Sequence, residues 1–224
     1  MSVIKLSKRL STVASFVRNG VVVADIGTDH AYLPIYLLQT KKVHGAIASD
    51  INEGPLSRAR KNIEQNSLAD KIVTYISDGL NDIEKYHPDD IMICGMGGEL
   101  IAKIIDASQY CKSSDVNLIL QPMTTARELR LYLKNGFSIL DESIVFEDGK
   151  FYHVICAKYD GQAHDYTEVE LEVGKCNISK KSQELIEFLK HSISRKKKIR
   201  DGLILGGYDT TKIESEIEEM EKML

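Results

Sequence analysis

This 224-residue chain has no run of apolar residues near the roughly 18–20 that a membrane-crossing helix needs, so no such span is expected. Residues 1–10 lack the long apolar core of a secretory signal, which makes a cytoplasmic location the expectation. The four cysteines (Cys94, Cys111, Cys156 and Cys176) form neither a Cys-x-x-Cys pair nor a Cys/His cluster. No metal is therefore expected, and the thiols read as buried apolar groups or free thiols of a reducing compartment. Internal repeats and low-complexity tracts are also missing. The formal net charge of −4 does not advertise nucleic-acid binding, although local patches rather than totals decide that question. What is present, 43% hydrophobic and 28% charged residues, is enough for one sizeable core and a small appended domain.

Leu6, Leu10, Val13 and Val17 recur at helical spacing and predict a helix over residues 3–18. Strand-like runs (21–26, 43–51, 71–77, 90–94 and 117–121) then alternate with helical ones (31–40, 55–66, 99–107 and 125–135), the rhythm of a doubly wound α/β sheet. Leu100, Ile101, Ile104 and Ile105 are expected to face inward, Pro122 to stop the fifth strand, and Gly136 to terminate the helix after it. Two β-rich runs, 138–146 and 151–159, flank Glu147-Asp148-Gly149-Lys150, a hairpin signal that ends the sheet with an antiparallel pair. Residues 160–166 read as a linker. Beyond them Leu185, Leu189 and Ile193 share a helical face that Leu203 and Ile204 extend. Gly206-Gly207 breaks it, and Ile213, Ile217, Met220 and Leu224 repeat at coiled-coil spacing, so an antiparallel helical hairpin is expected. The division is thus residues 1–160 as a ligand-binding sheet domain and 161–224 as a small helical one.

The chemistry sits at the strand ends. Asp25-Ile26-Gly27 closes a buried strand where bare backbone lets a ligand approach, although a glycine there can also be only a turn. Asp50 follows the second strand, where a carboxylate accepts from ribose hydroxyls, and Asp78-Gly79 closes the third, where it accepts from an adenine amino group or simply makes a β-turn. A dinucleotide site would want Gly-x-Gly-x-x-Gly over its pyrophosphate, but Gly27-Thr28-Asp29-His30-Ala31-Tyr32 has one glycine and an added acid. Asp25 and Asp29 would repel a diphosphate and suit an amino group or a sulfonium, which points to S-adenosylmethionine. Cys94-Gly95-Met96-Gly97-Gly98 ends the fourth strand with bare backbone where a methyl group must sit, or else serves tight strand–helix packing. The Asn/Asp-Pro-Pro-aromatic motif that holds exocyclic base amines is absent there, so a different acceptor atom is expected.

The run Ala24-Asp25-Ile26-Gly27-Thr28-Asp29-His30-Ala31-Tyr32-Leu33-Pro34, with Ser49-Asp50-Ile51-Asn52 and Ile93-Cys94-Gly95-Met96-Gly97-Gly98, resembles the bacterial tRNA (adenine-N1)-methyltransferases that modify position 22. The resemblance extends over the whole chain, including Gln121-Pro122, while Asp29 and Ala31 stand where the wider class I methyltransferases commonly have glycine. It implies a Rossmann-like class I fold with S-adenosylmethionine as donor, and contacts from Asp25, Gly27, Thr28, His30, Asp50, Ile51, Asp78, Gly79, Gly95 and Met96. It also implies attack by the free lone pair of adenine N1, which needs placement rather than a general base, with the base unpaired or flipped out. No single catalytic side chain is assigned; Asp25 and Asp29 are candidates for holding developing positive charge.

For tRNA the visible patch is Arg195-Lys196-Lys197-Lys198-Ile199-Arg200, with Lys8 and Arg9 as a second contact, and solvation among nearby acids as the plain alternative. Two other functions stay open on residues alone, a nicotinamide-dependent oxidoreductase and a non-catalytic RNA-binding protein. The oligomeric state, monomer or weak homodimer, is left open by the apolar helical seam.

Overall fold

A computed structural model of the chain describes residues 3–224. The first helix, α1 (Lys8–Phe16), is shorter than the periodicity predicts because Ser7 stays extended and caps it, its hydroxyl accepting from the Leu10 amide. Then come β1 (Val22–Ile26), α2 (Tyr32–Gln39), β2 (Gly45–Asp50), α3 (Glu53–Gln65), β3 (Ile72–Ile76), β4 (Asp90–Gly97), α4 (Gly98–Asp106), β5 (Asn117–Thr124) and α5 (Ala126–Leu133). The hairpin strands β6 (Asn135–Glu147) and β7 (Lys150–Ala163) follow, and four helices close the chain: α6 (Glu168–Val173), α7 (Lys175–Lys180), α8 (Gln183–Leu205) and α9 (Thr211–Glu221).

The seven strands lie in the order β3-β2-β1-β4-β5-β7-β6, with β1 to β5 parallel and β7 antiparallel to both its neighbours. Parallel strands must be covered on both faces, and their near-continuous apolar runs meet that demand. Val13, Leu33, Ile35 and Ile63 from α1, α2 and α3 cover one face, and Ile101, Ile105, Leu129 and Leu133 from α4 and α5 cover the other. Asp148 and Gly149 both take left-handed φ in the β6–β7 turn, as the two-residue hairpin signal requires.

Several expectations need correction. Leu100 is 50% exposed, because Ile101 and Ile105 already fill the inward face of α4 and Leu100 lies about 100° around it. Pro122 does not stop β5; it pairs with Met96 at a register shift, past the last β5–β7 pair at Leu120, so its missing N–H breaks no ladder. Gly136 is not a helix terminator but part of β6, at a register shift packed against the Tyr159 ring. The segment read as a linker is occupied by β7 as far as Ala163, and the His164 amide donates to the Lys134 carbonyl. Ile204 is 55% exposed, so the apolar face of α8 ends near Ile193.

The C-terminal helices form a third, smaller core from Val169, Val173, Leu185, Leu189, Ile193, Ile217 and Met220, with Ile144 of β6 beneath them. They are tied to the sheet through one buried cation. The Arg130 guanidinium, fully buried, donates to Glu142 at 2.6 Å and to the Leu171 and Glu172 carbonyls at 3.0 Å each. His153 Nδ1 lies 3.0 Å from the same guanidinium; burial, and then that neighbouring cation, hold its pKa well below the usual imidazole range, so it stays neutral and accepts. Replacing Arg130 by Ala strands the Glu142 carboxylate and the carbonyls of Leu171, Glu172 and Val173, and is expected to cost about 3–5 kcal/mol, measured by urea unfolding at neutral pH.

Candidate active site

The order of the strands reverses between β1 and β4, which opens a crevice beyond their C-terminal ends. Asp25, in β1, is only 7% exposed, and its Oδ2 accepts a 2.6 Å bond from the buried Thr28 hydroxyl. Burial outweighs that bond, and with Asp50 nearby the Asp25 carboxyl is pushed up to about 6. The Gly27 and Thr28 amides both donate to the Ser49 carbonyl at 2.8 Å, fastening the loop onto β2. Gly27 has φ of +73°, a left-handed backbone that favours glycine, and a Cβ there would sit 2.1 Å from the tip of the Met96 side chain, which would have to shift.

The loop then turns without further glycines. His30 and Ala31 take left-handed φ of 64° and 54°, so Ala31 adopts the backbone that a glycine commonly supplies at its position. Asn62 of α3 donates to the His30 carbonyl at 2.8 Å, and the His30 ring stacks on Tyr32. Asp50 closes β2 with Oδ1 accepting from the Asn52 amide at 2.7 Å, and Ile51 beside it is exposed. In β4 and α4, a Cβ on Gly98 would lie 2.2 Å from the Thr125 carbonyl, so that glycine serves strand–helix packing. Gly95, by contrast, faces open space.

Asp25, Gly27, Thr28 and Gly95 meet around a cavity of about 380 Å³. Met96 touches Gly27 from β4, whereas Asp78 and Gly79 line a separate hollow of about 230 Å³ with Leu100 and Lys103. Asp29 is not the free acid that the sequence reading expects: Arg58 holds it at 3.0 Å, which offsets its charge. Cys94 also lines the cavity, but burial, and then the Asp25 charge, push its thiol well up, so it remains protonated.

Arg9, read from sequence as an RNA contact, lines this cavity. Its guanidinium bonds Gln121 Oε1, lies 3.8 Å from Glu147 and sits 5.3 Å over the Tyr152 ring. Gln121 is a side chain that the sequence does not single out for this cavity. It is fully buried, accepts from the Gly95 amide at 3.2 Å and donates to the Pro122 carbonyl at 2.9 Å. Its only signal in sequence was an amide inside an otherwise apolar strand, next to Pro122.

The basic run on α8 is not a uniform cationic stripe. Lys196 is clamped between Glu172 and Glu216 at 2.8 and 2.7 Å, Lys197 pairs with Glu221, and Arg200 with Asp201. Arg195, Lys198 and Lys8 are exposed, with no ion pair among the described residues. No cluster of metal-binding side chains occurs among the described residues. Nor is any helix there long and apolar enough to cross a membrane.

The strand order, the antiparallel seventh strand and the ligand crevice at β1 and β4 define a class I methyltransferase, and the family described as "Methyltransferase domain" matches residues 6–155. The tRNA (adenine(22)-N(1))-methyltransferase of Bacillus subtilis is 43% identical over 78% of this chain and 74% of its own length. Two solved structures superpose over nearly everything: Streptococcus pneumoniae Sp1610 with S-adenosyl-L-methionine (TM-score 0.85, 32% identity, 98% of this chain and 100% of that one) and M. capricolum TrmK with S-adenosyl-homocysteine (TM-score 0.79, 32% identity, 97% and 96%). The chain belongs to the bacterial tRNA (adenine(22)-N(1))-methyltransferase family.

The raised Asp25 pKa is a stability statement. Folding favours its protonated form, so stability is fullest below about pH 4 and falls as pH rises through about 6, by about 3 kcal/mol in total. An Asp25→Asn variant without ligand is therefore expected to unfold at higher denaturant than the parent at about pH 7.5, and to show no such gain at about pH 4. Paired denaturant titrations at the two pH values measure this.

Proposed function

We propose that this protein transfers a methyl group from S-adenosylmethionine to N1 of an adenine in tRNA, at position 22 as in the B. subtilis relative. The observation that carries the reading is the buried carboxylate of Asp25 beside the bare backbone of Gly27 and Gly95, at the strand reversal and with no glycine-rich pyrophosphate turn. This donor set fits a cationic ligand with an amino group and a ribose. When bound, S-adenosylmethionine supplies an electrophilic methyl carbon on a sulfonium sulfur.

Each group of the chain then has a part. Asp25 faces the positive end of the donor, ionised at neutral pH, with Arg9 lining the same cavity. Asp50, oriented by the Asn52 amide, accepts from the ribose hydroxyls, with Ile51 and Met96 offering apolar surface to the adenine. Asp78 and Gly79 meet the far edge of that base, and Thr28 and His30 shape the loop. Gln121 holds Gly95 so that the backbone beside the methyl group stays clear. Adenine N1 attacks with its own lone pair, so no general base is required, and the protonated Cys94 does not compete as a nucleophile. Methylation leaves the adenine ring cationic, and Asp25, in the cavity wall, is the acid proposed to offset that charge. Lys8 and Arg195 are the exposed cations proposed to meet tRNA phosphates; Lys196 and Lys197 instead bind the C-terminal helices together. The helical part beyond β7 is proposed as the unit that orients tRNA, and a cytoplasmic location accompanies that substrate.

Asp50→Ala is expected to weaken S-adenosylhomocysteine binding by about 1–3 kcal/mol in calorimetric titration, and unchanged affinity removes Asp50 from the donor site. Wild-type donor affinity is expected to rise from about pH 5 to about pH 7 as Asp25 ionises, then level off. Mass spectrometry of tRNA nucleosides from cells with and without the protein tests the reaction itself: N1-methyladenosine that does not depend on the protein overturns the reading.

A further inference from the structure

Beside the donor cavity lies a larger cleft of about 520 Å³, between the C-terminal end of β5, the start of β7 and the flank of α8. Its aromatic side is built from Phe151, Phe188 and His191. Phe188 meets Phe151 edge-on at 5.5 Å, and the His191 ring lies 5.6 Å from Phe151. The charges around it do not cancel. Three cations (Arg127, Lys150 and Arg195) and two carboxylates (Glu128 and Glu172) line the cleft; Arg127 neighbours Glu128 at 3.5 Å, and Lys196 is shared between Glu172 at 2.8 Å and Glu216 at 2.7 Å. Arg127 is in turn held by Glu168 at 2.7 Å. Lys150 and Arg195 remain exposed and without an ion pair among the described residues, so an acidic protein presents a locally positive cleft.

The cleft and the donor cavity share a wall. Tyr152 lines the cleft and carries on its ring the Arg9 guanidinium that lines the cavity. Pro122 lines the cleft too, and the preceding Gln121 bonds both Arg9 and Gly95. The two hollows are therefore neighbours, separated by Tyr152, Arg9 and Gln121. N1 of a paired adenine is inaccessible, so the substrate base must leave its stack, and its neighbour loses a stacking partner. Aromatic faces beside free cations, here the exposed His191 and the half-buried Phe151, are how proteins receive such bases.

We propose that this cleft binds an unpaired nucleotide next to the methylated one, its base stacked on His191 and Phe151 and its phosphate met by Arg195 and Lys150. This rests on the RNA-methylating reading above and deepens it, by naming where the flanking nucleotide goes.

Arg195 and Lys198 lie on the same helix, but Lys198 lines a different hollow, with Asp201, Glu221 and Leu224. That gives a matched control of equal charge. In the full-length protein, His191→Ala and Arg195→Ala are each expected to raise the Kd for tRNA about tenfold, with His191→Phe keeping wild-type affinity and Lys198→Ala causing only a small loss. S-adenosylhomocysteine affinity, measured by titration calorimetry, is expected to be unchanged in all four. Wild-type affinity in both His191→Ala and Arg195→Ala, or equal losses from Arg195→Ala and Lys198→Ala, overturns the cleft while leaving methyl transfer by the wild-type protein intact. Absence of methyl transfer from the wild type to tRNA instead strikes the functional reading, whatever the variants bind.

Discussion

The reversal of strand order between β1 and β4 is the constraint on which the rest depends. The helix after β1 packs on one face of the sheet and the helix after β4 on the other, so the two strand ends part and cannot be roofed by either. The residues proposed to face a ligand are hung on that gap. Asp25 reaches it from β1, Asp50 stands one strand away, and Gly95 leaves it open from β4. The tip of Met96 reaches the α-carbon side of Gly27, whose left-handed φ is what favours glycine there.

Burial of charge is handled in two opposite ways. Arg130 is wholly withdrawn from water but has an ion pair, a neutral imidazole and main-chain carbonyls around it, so its desolvation is offset. Asp25 has only one hydroxyl partner, and its raised pKa measures the interaction it lacks. The first arrangement joins the C-terminal helices to the sheet. The second leaves a carboxylate whose strongest partner must come from outside, which is the expected signature of a site rather than of a scaffold.

The cations of the C-terminal part divide by the same logic. Lys196, nearly buried between two glutamates, is an internal strut between α6, α8 and α9. Its sequence neighbour Arg195 points toward the cleft, and Lys198 toward the other side of the helix. One turn of helix therefore contains a structural lysine and cations addressed to two different surfaces, which a count of positive residues cannot distinguish.

The alternation of strands and helices, the hairpin at Asp148-Gly149 and the acids at the strand ends were legible in the chain, because each is local: apolar period, turn chemistry, and a polar residue closing a buried run. Asp25, Gly27, Thr28 and Gly95 could be grouped for that reason, since parallel strands bring their C-terminal ends to one edge. Partnerships across long separations were not legible. Whether Asp29 is free depends on Arg58 of α3, and whether Arg9 faces RNA or donor depends on Gln121 and Tyr152, more than a hundred residues away. Ala31 adopts a glycine-like backbone only because the loop is anchored at Ser49 and Asn62, and Pro122 continues its strand only because the pairing shifts there. Sequence by itself determined which residues could do the chemistry; tertiary structure alone decided which charges were already neutralised by a neighbour, because an ion pair is set by distance in space and not along the chain.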